Sequence, residues 1–169
     1  WITYGAFYFC RTNLAAALPG LEVEFGYSKT QLGLLLGSLK LSYGIGQLIN
    51  GQLAERARPR LLLALGMFGS AALNVFFGLS TGLFFMLFIW ASNGYFQALG
   101  WTPCMRVAAN WFSVKQRGRA VGIIGTGYQV TAVLTFLVSG WAVQTFGWRG
   151  AAHFPALILA LLGIHMLLF

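Results

Sequence analysis

The sequence predicts an all-α membrane protein of six transmembrane helices, on three observations. Only 8% of its 169 residues are charged, against 58% hydrophobic and 16% aromatic. A soluble domain carries about 25% charged residues, so too few polar side chains exist here to coat a water-exposed surface. Apolar runs of about 20 residues, the length that crosses a hydrocarbon core as a helix, recur six times. They are too long, and lack the period-two alternation, for strands of a transmembrane barrel. The remaining charge gathers in the links between runs. With a mean hydropathy of +0.73, a soluble enzyme and a disordered tail are both excluded.

The first run extends from Trp1 to about Leu21, closed by Pro19-Gly20. The second covers about Thr30 to Ala54, the third about Arg60 to Leu79 and the fourth about Gly82 to Phe112. The fifth covers about Arg119 to Phe146 and the sixth about Gly150 to Phe169. The chain starts and stops inside apolar runs, without a leader pattern, and so reads as a segment of a longer one.

Charge in the links is asymmetric. Arg56, Arg58 and Arg60 lie between the second and third runs, and Lys115, Arg117 and Arg119 between the fourth and fifth. The alternate links carry only Lys29 and Arg149 among cations. By the positive-inside bias, the basic links and the N-terminus are expected to be cytoplasmic. The net charge of +8 is therefore a topology signal rather than a nucleic-acid surface, and no nucleic-acid partner is expected. Small residues add a packing signal. Gly33, Gly37, Gly44 and Gly51 fall within about 40° of one another around the second helix, a stripe suited to close helix approach or to a sliding gate. Gly118 and Gly122 begin a similar stripe on the fifth.

Two cations lie deep in apolar runs: Arg11 near the middle of the first and Lys40 about ten residues into the second. A charge at mid-bilayer costs a few kcal/mol or more unless a counter-charge or an aqueous cavity offsets it. The acids, Glu22, Glu24 and Glu55, all lie in or beside links, and the chain has no Asp. A positively lined cavity that takes an anion is the expected solution. Polar stripes on four runs point to it: Tyr4, Tyr8 and Arg11; Lys40, Tyr43, Gln47 and Asn50; Asn93, Gln97 and Trp101; and Tyr128, Thr131, Thr135 and Ser139. Facing lipid they would be unsatisfied, so they are expected to converge on one wet space, some of them spent on interhelical hydrogen bonds. Catalysis is not expected. His153 and His165 have no acid nearby, Cys10 and Cys104 sit in apolar runs, and no catalytic, metal or cofactor constellation is present.

Several stretches resemble a known family. "GQLAERARPR", Gly51 to Arg60, resembles the loop signature of the major facilitator superfamily, a Gly-x-x-x-Asp-Arg-x-x-x-Arg pattern, with Glu55 for the usual Asp and Pro59 for the usual Gly. "WFSVKQRGRAVG", Trp111 to Gly122, looks like the matching link between its fourth and fifth helices. "YFCRTNLAAALP", Tyr8 to Pro19, and "NGYFQALGWTPCMRVAANWF", Asn93 to Phe112, are similar to the organophosphate:phosphate antiporters, which include glycerol-3-phosphate and sugar-phosphate exchangers.

That resemblance implies a twelve-helix protein in two halves, each of inverted three-helix repeats. This chain would be the N-terminal half, residues 1–169, with one repeat over about 1–80 and another over about 82–169. The resemblance places Arg11 at the phosphate-binding position of the first helix, with Tyr4 and Tyr8 on the same face. The family's second-helix Lys falls on Gln47 and its fifth-helix His on Tyr128; Lys40 could restore one cation. Gln97 and Trp101 would shape the pocket. Glu55, with Arg56, Arg60 and Arg117, would form a breakable gate at the cytoplasmic face. The implied activity is alternating-access exchange of a phosphate ester for phosphate at a cell membrane, bacterial inner membrane in type. Anion:cation symporters of carboxylates, with a similar "RxN" segment, and a non-transporting membrane sensor remain alternatives. The implied partners are a small anionic substrate, the lipid bilayer and the absent C-terminal half.

Overall fold

The computed structural model describes residues 1–168. All nine of its elements are helices: α1 (Ile2–Ala6), α2 (Phe9–Thr12), α3 (Leu14–Phe25), α4 (Lys29–Arg56), α5 (Pro59–Leu79), α6 (Leu83–Gln97), α7 (Trp101–Trp111), α8 (Val114–Phe146) and α9 (Gly150–Leu168). They build six spans: α1–α3 form span 1, α4 span 2, α5 span 3, α6–α7 span 4, α8 span 5 and α9 span 6. Five of these stretches, span 4 taken across its interruption, are long and apolar enough to cross a membrane by length and composition. Span 1 falls outside that group because it is divided into three short helices, the longest of 12 residues.

The break lies at Cys10, whose φ of −104° and ψ of 17° leave the helical region. Around it the backbone bonds tighten, as in Cys10 N–H to Phe7 C=O (3.3 Å) and Arg11 N–H to Tyr8 C=O (3.1 Å). The Cys10 carbonyl instead accepts from Asn93 Nδ2 at 2.8 Å and Asn74 Nδ2 at 3.5 Å. Irregular backbone at membrane depth is tolerated because neighbouring side chains satisfy it.

Several boundaries differ from the sequence reading. Span 1 does not close at Pro19-Gly20: α3 continues through an exposed Pro19 to Phe25, and Gly26 ends it at φ 67°, where a left-handed residue terminates a helix. Span 4 is interrupted over Ala98–Gly100, between α6 and α7. α8 begins at Val114 rather than near Arg119, because the helix continues past the apolar stretch with Lys115, Arg117 and Arg119 exposed. α4 starts on a capping box, with Gln31 N–H donating to Ser28 Oγ and Ser28 N–H to Gln31 Oε1 at 2.8 Å.

α4 packs along α6, α5 against α6 and α9, and α8 against α9 and α1. At the end opposite the basic links, Leu14, Leu21, Leu35, Leu39, Phe77, Trp90 and Trp148 form one buried cluster. Beside it Glu24 accepts from Trp148 Nε1 at 2.6 Å and pairs with Arg149 at 2.8 Å, and Lys29 pairs with Glu22. These hydrogen bonds, from Arg149 first and Trp148 second, hold the Glu24 carboxyl below the usual Glu range.

The glycine stripe does not mediate close packing among the described residues. Nothing stands within 4 Å of a Cβ placed at Gly33, Gly37, Gly44 or Gly51, or at Gly118 and Gly122. The face of α4 that is buried carries Leu32, Leu35, Leu39, Gly46 and Asn50, and the stripe looks away from it. The tight crossing is at Gly94, where a Cβ would strike the Leu39 carbonyl oxygen, and at Gly46, where it would lie 2.8 Å from the Ala98 Cβ.

Candidate functional site

Arg11 lies in the last turn of α2, one residue beyond the break, and reaches between spans 1, 2 and 4. Its guanidinium lies 4.5 Å from the Tyr8 ring centroid and 4.5 Å from that of Tyr43 on α4, a separation at which cation and aromatic face attract. Nε donates to Gln97 Oε1 at 3.0 Å, and Nη2 to the Gln97 carbonyl at 3.3 Å. A guanidinium has five N–H donors, so most of its outer edge is left for a ligand. Among the described residues, no carboxylate pairs with it: the ion pairs are Lys29–Glu22 and Arg149–Glu24, at the opposite end of the bundle. The charge of Arg11 is thus solvated by neutral groups and π faces alone.

Aromatic rings from spans 1, 4 and 5 wall the place. Tyr4 is buried and lies 4.8 Å from Trp101 and 6.0 Å from Tyr8 between ring centroids. Tyr8 in turn stacks on Tyr128 at 5.2 Å and 27°. The structure therefore brings Arg11, Tyr4, Tyr8, Gln97, Trp101 and Tyr128 together. Gln47 is held beside them: it donates from Nε2 to the Ala98 carbonyl at 3.4 Å and accepts from Thr102 Oγ1 at 3.1 Å. Its amide satisfies the interruption of span 4. Lys40 is exposed, two turns from Gln47 towards the α4 N-terminus, and no hydrogen bond or ion pair holds it among the described residues.

The polar stripes do not all face one cavity. Asn50, Asn93, Thr131, Thr135 and Ser139 are buried between helices. Asn50 Nδ2 donates to the Tyr95 carbonyl at 3.3 Å and Thr135 Oγ1 to the Thr131 carbonyl at 2.7 Å. Small polar side chains can bury themselves at a helix crossing; the long or aromatic ones, Arg11, Tyr8, Tyr43 and Tyr128, remain partly open.

At the basic end the expected gate pairing is not formed. Glu55 and Arg56 are exposed, and no ion pair joins Glu55 to Arg56, Arg60 or Arg117 among the described residues. The arginines go to helix C-termini, where free carbonyls and the negative dipole end attract cations. Arg60 donates to the Leu167 carbonyl, and Arg117 to those of Ala109 (2.7 Å) and Phe112 (3.2 Å). Arg106 of α7 donates to the Ala54 carbonyl and, at 3.1 Å, to that of Ala57.

Sequence reasoning missed Ser70 and Asn74 on α5 and Asn13 at the head of α3, all fully or nearly fully buried. A polar pair four residues apart in an otherwise apolar run, as Ser70 and Asn74 are, is the signal that could have found the first two. Tyr43 was visible on a polar strip but not as a flank of Arg11.

The model of the Major Facilitator Superfamily matches residues 1–169. The chain is 33% identical to a probable hexose phosphate transport protein of Chlamydia trachomatis, over 96% of this chain and 36% of that protein. It is 35% identical to the glycerol-3-phosphate transporter of Bacillus subtilis, over 99% of this chain and 39% of that protein. To the membrane sensor protein UhpC of Escherichia coli it is 28% identical, over 98% of this chain and 38% of that protein. It thus spans little more than a third of the relatives it matches. Its backbone superposes on a bacterial homologue of the human lysosomal transporter Spinster, in an inward-facing and occupied conformation, with a TM-score of 0.87 at 19% identity. That superposition covers 98% of this chain and 42% of the homologue. Six spans, a basic link after the second and after the fourth, and a family match along the whole length lead to one assignment: the chain belongs to the major facilitator superfamily.

Proposed function

We propose that this chain is the N-terminal half of an organic-anion transporter that exchanges a phosphate ester for phosphate by alternating access. The observation that carries the reading is Arg11. It is a guanidinium halfway along a membrane bundle, flanked by Tyr8 and Tyr43, bonded only to the neutral Gln97. Such a charge is held at a cost, and an anion that meets its open edge bidentately offsets that cost. Tyr4, Tyr8, Trp101 and Tyr128 form the aromatic wall of the pocket, and Gln97 and Gln47 its amide floor. Lys40, exposed about 60° around α4 from Tyr43, supplies a second cation to the same anion. The names of the sugar-phosphate and glycerol-3-phosphate relatives support the substrate class. Exchange follows because a pocket carrying an unpaired Arg11 is reluctant to reorient empty.

The remaining parts of the reading concern architecture. Spans 1–3 and 4–6 are inverted repeats, supported by packing that survives their interchange: span 2 lies on span 4 as span 5 lies on span 1. The C-terminal half covers the open glycine faces of α4 and α8. The N-terminus and the links holding Arg56–Arg60 and Lys115–Arg119 face the cytoplasm, and Glu55 finds its cation only in one state of the cycle.

In the full-length protein reconstituted in vesicles, Arg11→Lys should lower phosphate-ester uptake at least tenfold, because an ammonium cannot bind bidentately, while membrane insertion is unchanged. Wild-type uptake by that variant would overturn the assignment. Dependence on a proton or sodium gradient, rather than stimulation by phosphate loaded on the far side, would favour a symporter. The UhpC relative supports a second reading, a sensor that binds the same anion through Arg11; binding without flux would establish it.

A further inference from the structure

Cys10 and Arg11 are neighbours in the chain, and a chain of hydrogen bonds through spans 3 and 4 leaves from one and returns to the other. Arg11 Nε donates to Gln97 Oε1 at 3.0 Å. Gln97 Nε2 donates to Ser70 Oγ at 2.6 Å, and Ser70 Oγ donates to Asn93 Oδ1 at 2.5 Å. Asn93 Nδ2 closes the path on the Cys10 carbonyl at 2.8 Å. Its direction is forced at both ends, since a guanidinium only donates and a carbonyl only accepts. The acceptor face of Gln97 must therefore turn to Arg11 and its donor face to Ser70. The single hydroxyl proton of Ser70 is then committed to Asn93, which frees the Asn93 amide N–H for Cys10. Gln97, Ser70 and Asn93 are each fully buried, so no water can replace a missing link at low cost.

We infer that Ser70 and Asn93 are positioning residues of the anion site, setting the amide orientation of Gln97 and, through it, the direction in which Arg11 presents its free edge. Neither residue touches the anion. Ser70 is the pivotal link, because its hydroxyl both accepts from one amide and donates to the other. The same circuit fixes the carbonyl released by the break in span 1, so the kink that puts Arg11 in the pocket and the bond that aims Arg11 are one unit. Without the Ser70 hydroxyl, the Gln97 Nε2 group is left buried with no acceptor and the amide is held from the Arg11 side alone, so the acceptor that aims Arg11 is less firmly fixed.

The inference rests on the transporter reading for its choice of ligand. The test uses the full-length protein in proteoliposomes and radiolabelled inorganic phosphate as the probe, with KM and maximal rate of self-exchange measured separately. Ser70→Ala should raise KM for phosphate about tenfold, with a smaller change in maximal rate. Ser80→Ala is the control. Ser80 is a buried serine after the same helix, and its hydroxyl donates to the Phe77 carbonyl at 2.7 Å, but it touches no member of the path, so its loss should leave KM unmoved. Ser70→Cys, which keeps the volume and offers a weaker donor, should give an intermediate KM and serves if Ser70→Ala does not fold. An unmoved KM in the Ser70 variants, or an equal KM rise in Ser80→Ala, overturns the circuit alone. A wild-type protein that neither binds nor exchanges phosphate overturns the transporter reading instead.

Discussion

Arg11 shows how a single residue can carry information about function that its neighbours do not. Its depth and the placement of every acid at a span end, away from it, were legible from order along the chain, and so were Tyr8 and Tyr4, one and two turns before it. What surrounds the guanidinium was not legible. Tyr43 and Gln97 lie 32 and 86 residues away, and no periodicity on one helix says which face of another it meets. Glycines teach the same lesson with the sign reversed. The conspicuous stripe on α4 meets nothing within 4 Å, whereas Gly94, one of 22 glycines, lets span 4 cross span 2. Gly94→Ala should destabilise the protein by about 1–3 kcal/mol, because its Cβ would be driven into the Leu39 carbonyl and backbone cannot step aside as a side chain can. Thermal unfolding in detergent measures this, and an unshifted melting temperature would contradict the close crossing.

Elements were legible where hydropathy alone sets them. Span 3 begins and ends, and span 6 begins, within a residue of the apolar runs that announce them, since those ends coincide with Pro59, Ser80 and Gly150, while the end expected at Phe169 lies outside the described residues. Broken or extended helices were not. The break at Cys10 has no local Pro or Gly to cause it; it exists because Asn93 and Asn74 wait in spans 4 and 3 for its carbonyl. Pro19, by contrast, looked like a terminator yet stands inside α3, where one lost N–H on an exposed side is tolerated. The C-terminus of α4 depends on another span as well. Arg106 covers the carbonyls of Ala54 and Ala57, an interaction of charge with helix dipole and free acceptors worth about 1–2 kcal/mol in a partly buried setting. Arg106→Met keeps the stem and removes the donors; amide hydrogen exchange over residues 54–60 should speed up severalfold, and unchanged protection there would show that the cap contributes nothing.

For the whole molecule, the end opposite the basic links is a latch between the first and the last two spans. Glu24 accepts from Trp148 and pairs with Arg149, and Trp148 packs under Phe25 and Phe77. Because those hydrogen bonds lower the folded-state pKa of Glu24, their contribution is fully present above the ordinary Glu value of about 4.3 and is lost as pH falls through the lower folded value. The melting temperature should therefore drop as pH is lowered below about 4.3, and Glu24→Gln should flatten that part of the curve; an identical acid slope in the variant would remove Glu24 from the account. The sequence by itself determined that the chain is an all-α membrane protein built from six apolar runs, that the basic links share one end, and that a cation without a carboxylate partner sits midway along the first run. Each of these follows from one-dimensional quantities, namely the length of apolar runs, the positions of charges and the cost of a charge in hydrocarbon. Only the tertiary structure decided which polar side chains gather around Arg11, which are spent between helices, and which carbonyls the arginines cover. Those outcomes depend on the relative rotation of the spans, and that rotation is set by side-chain packing across pairs of helices far apart in the chain.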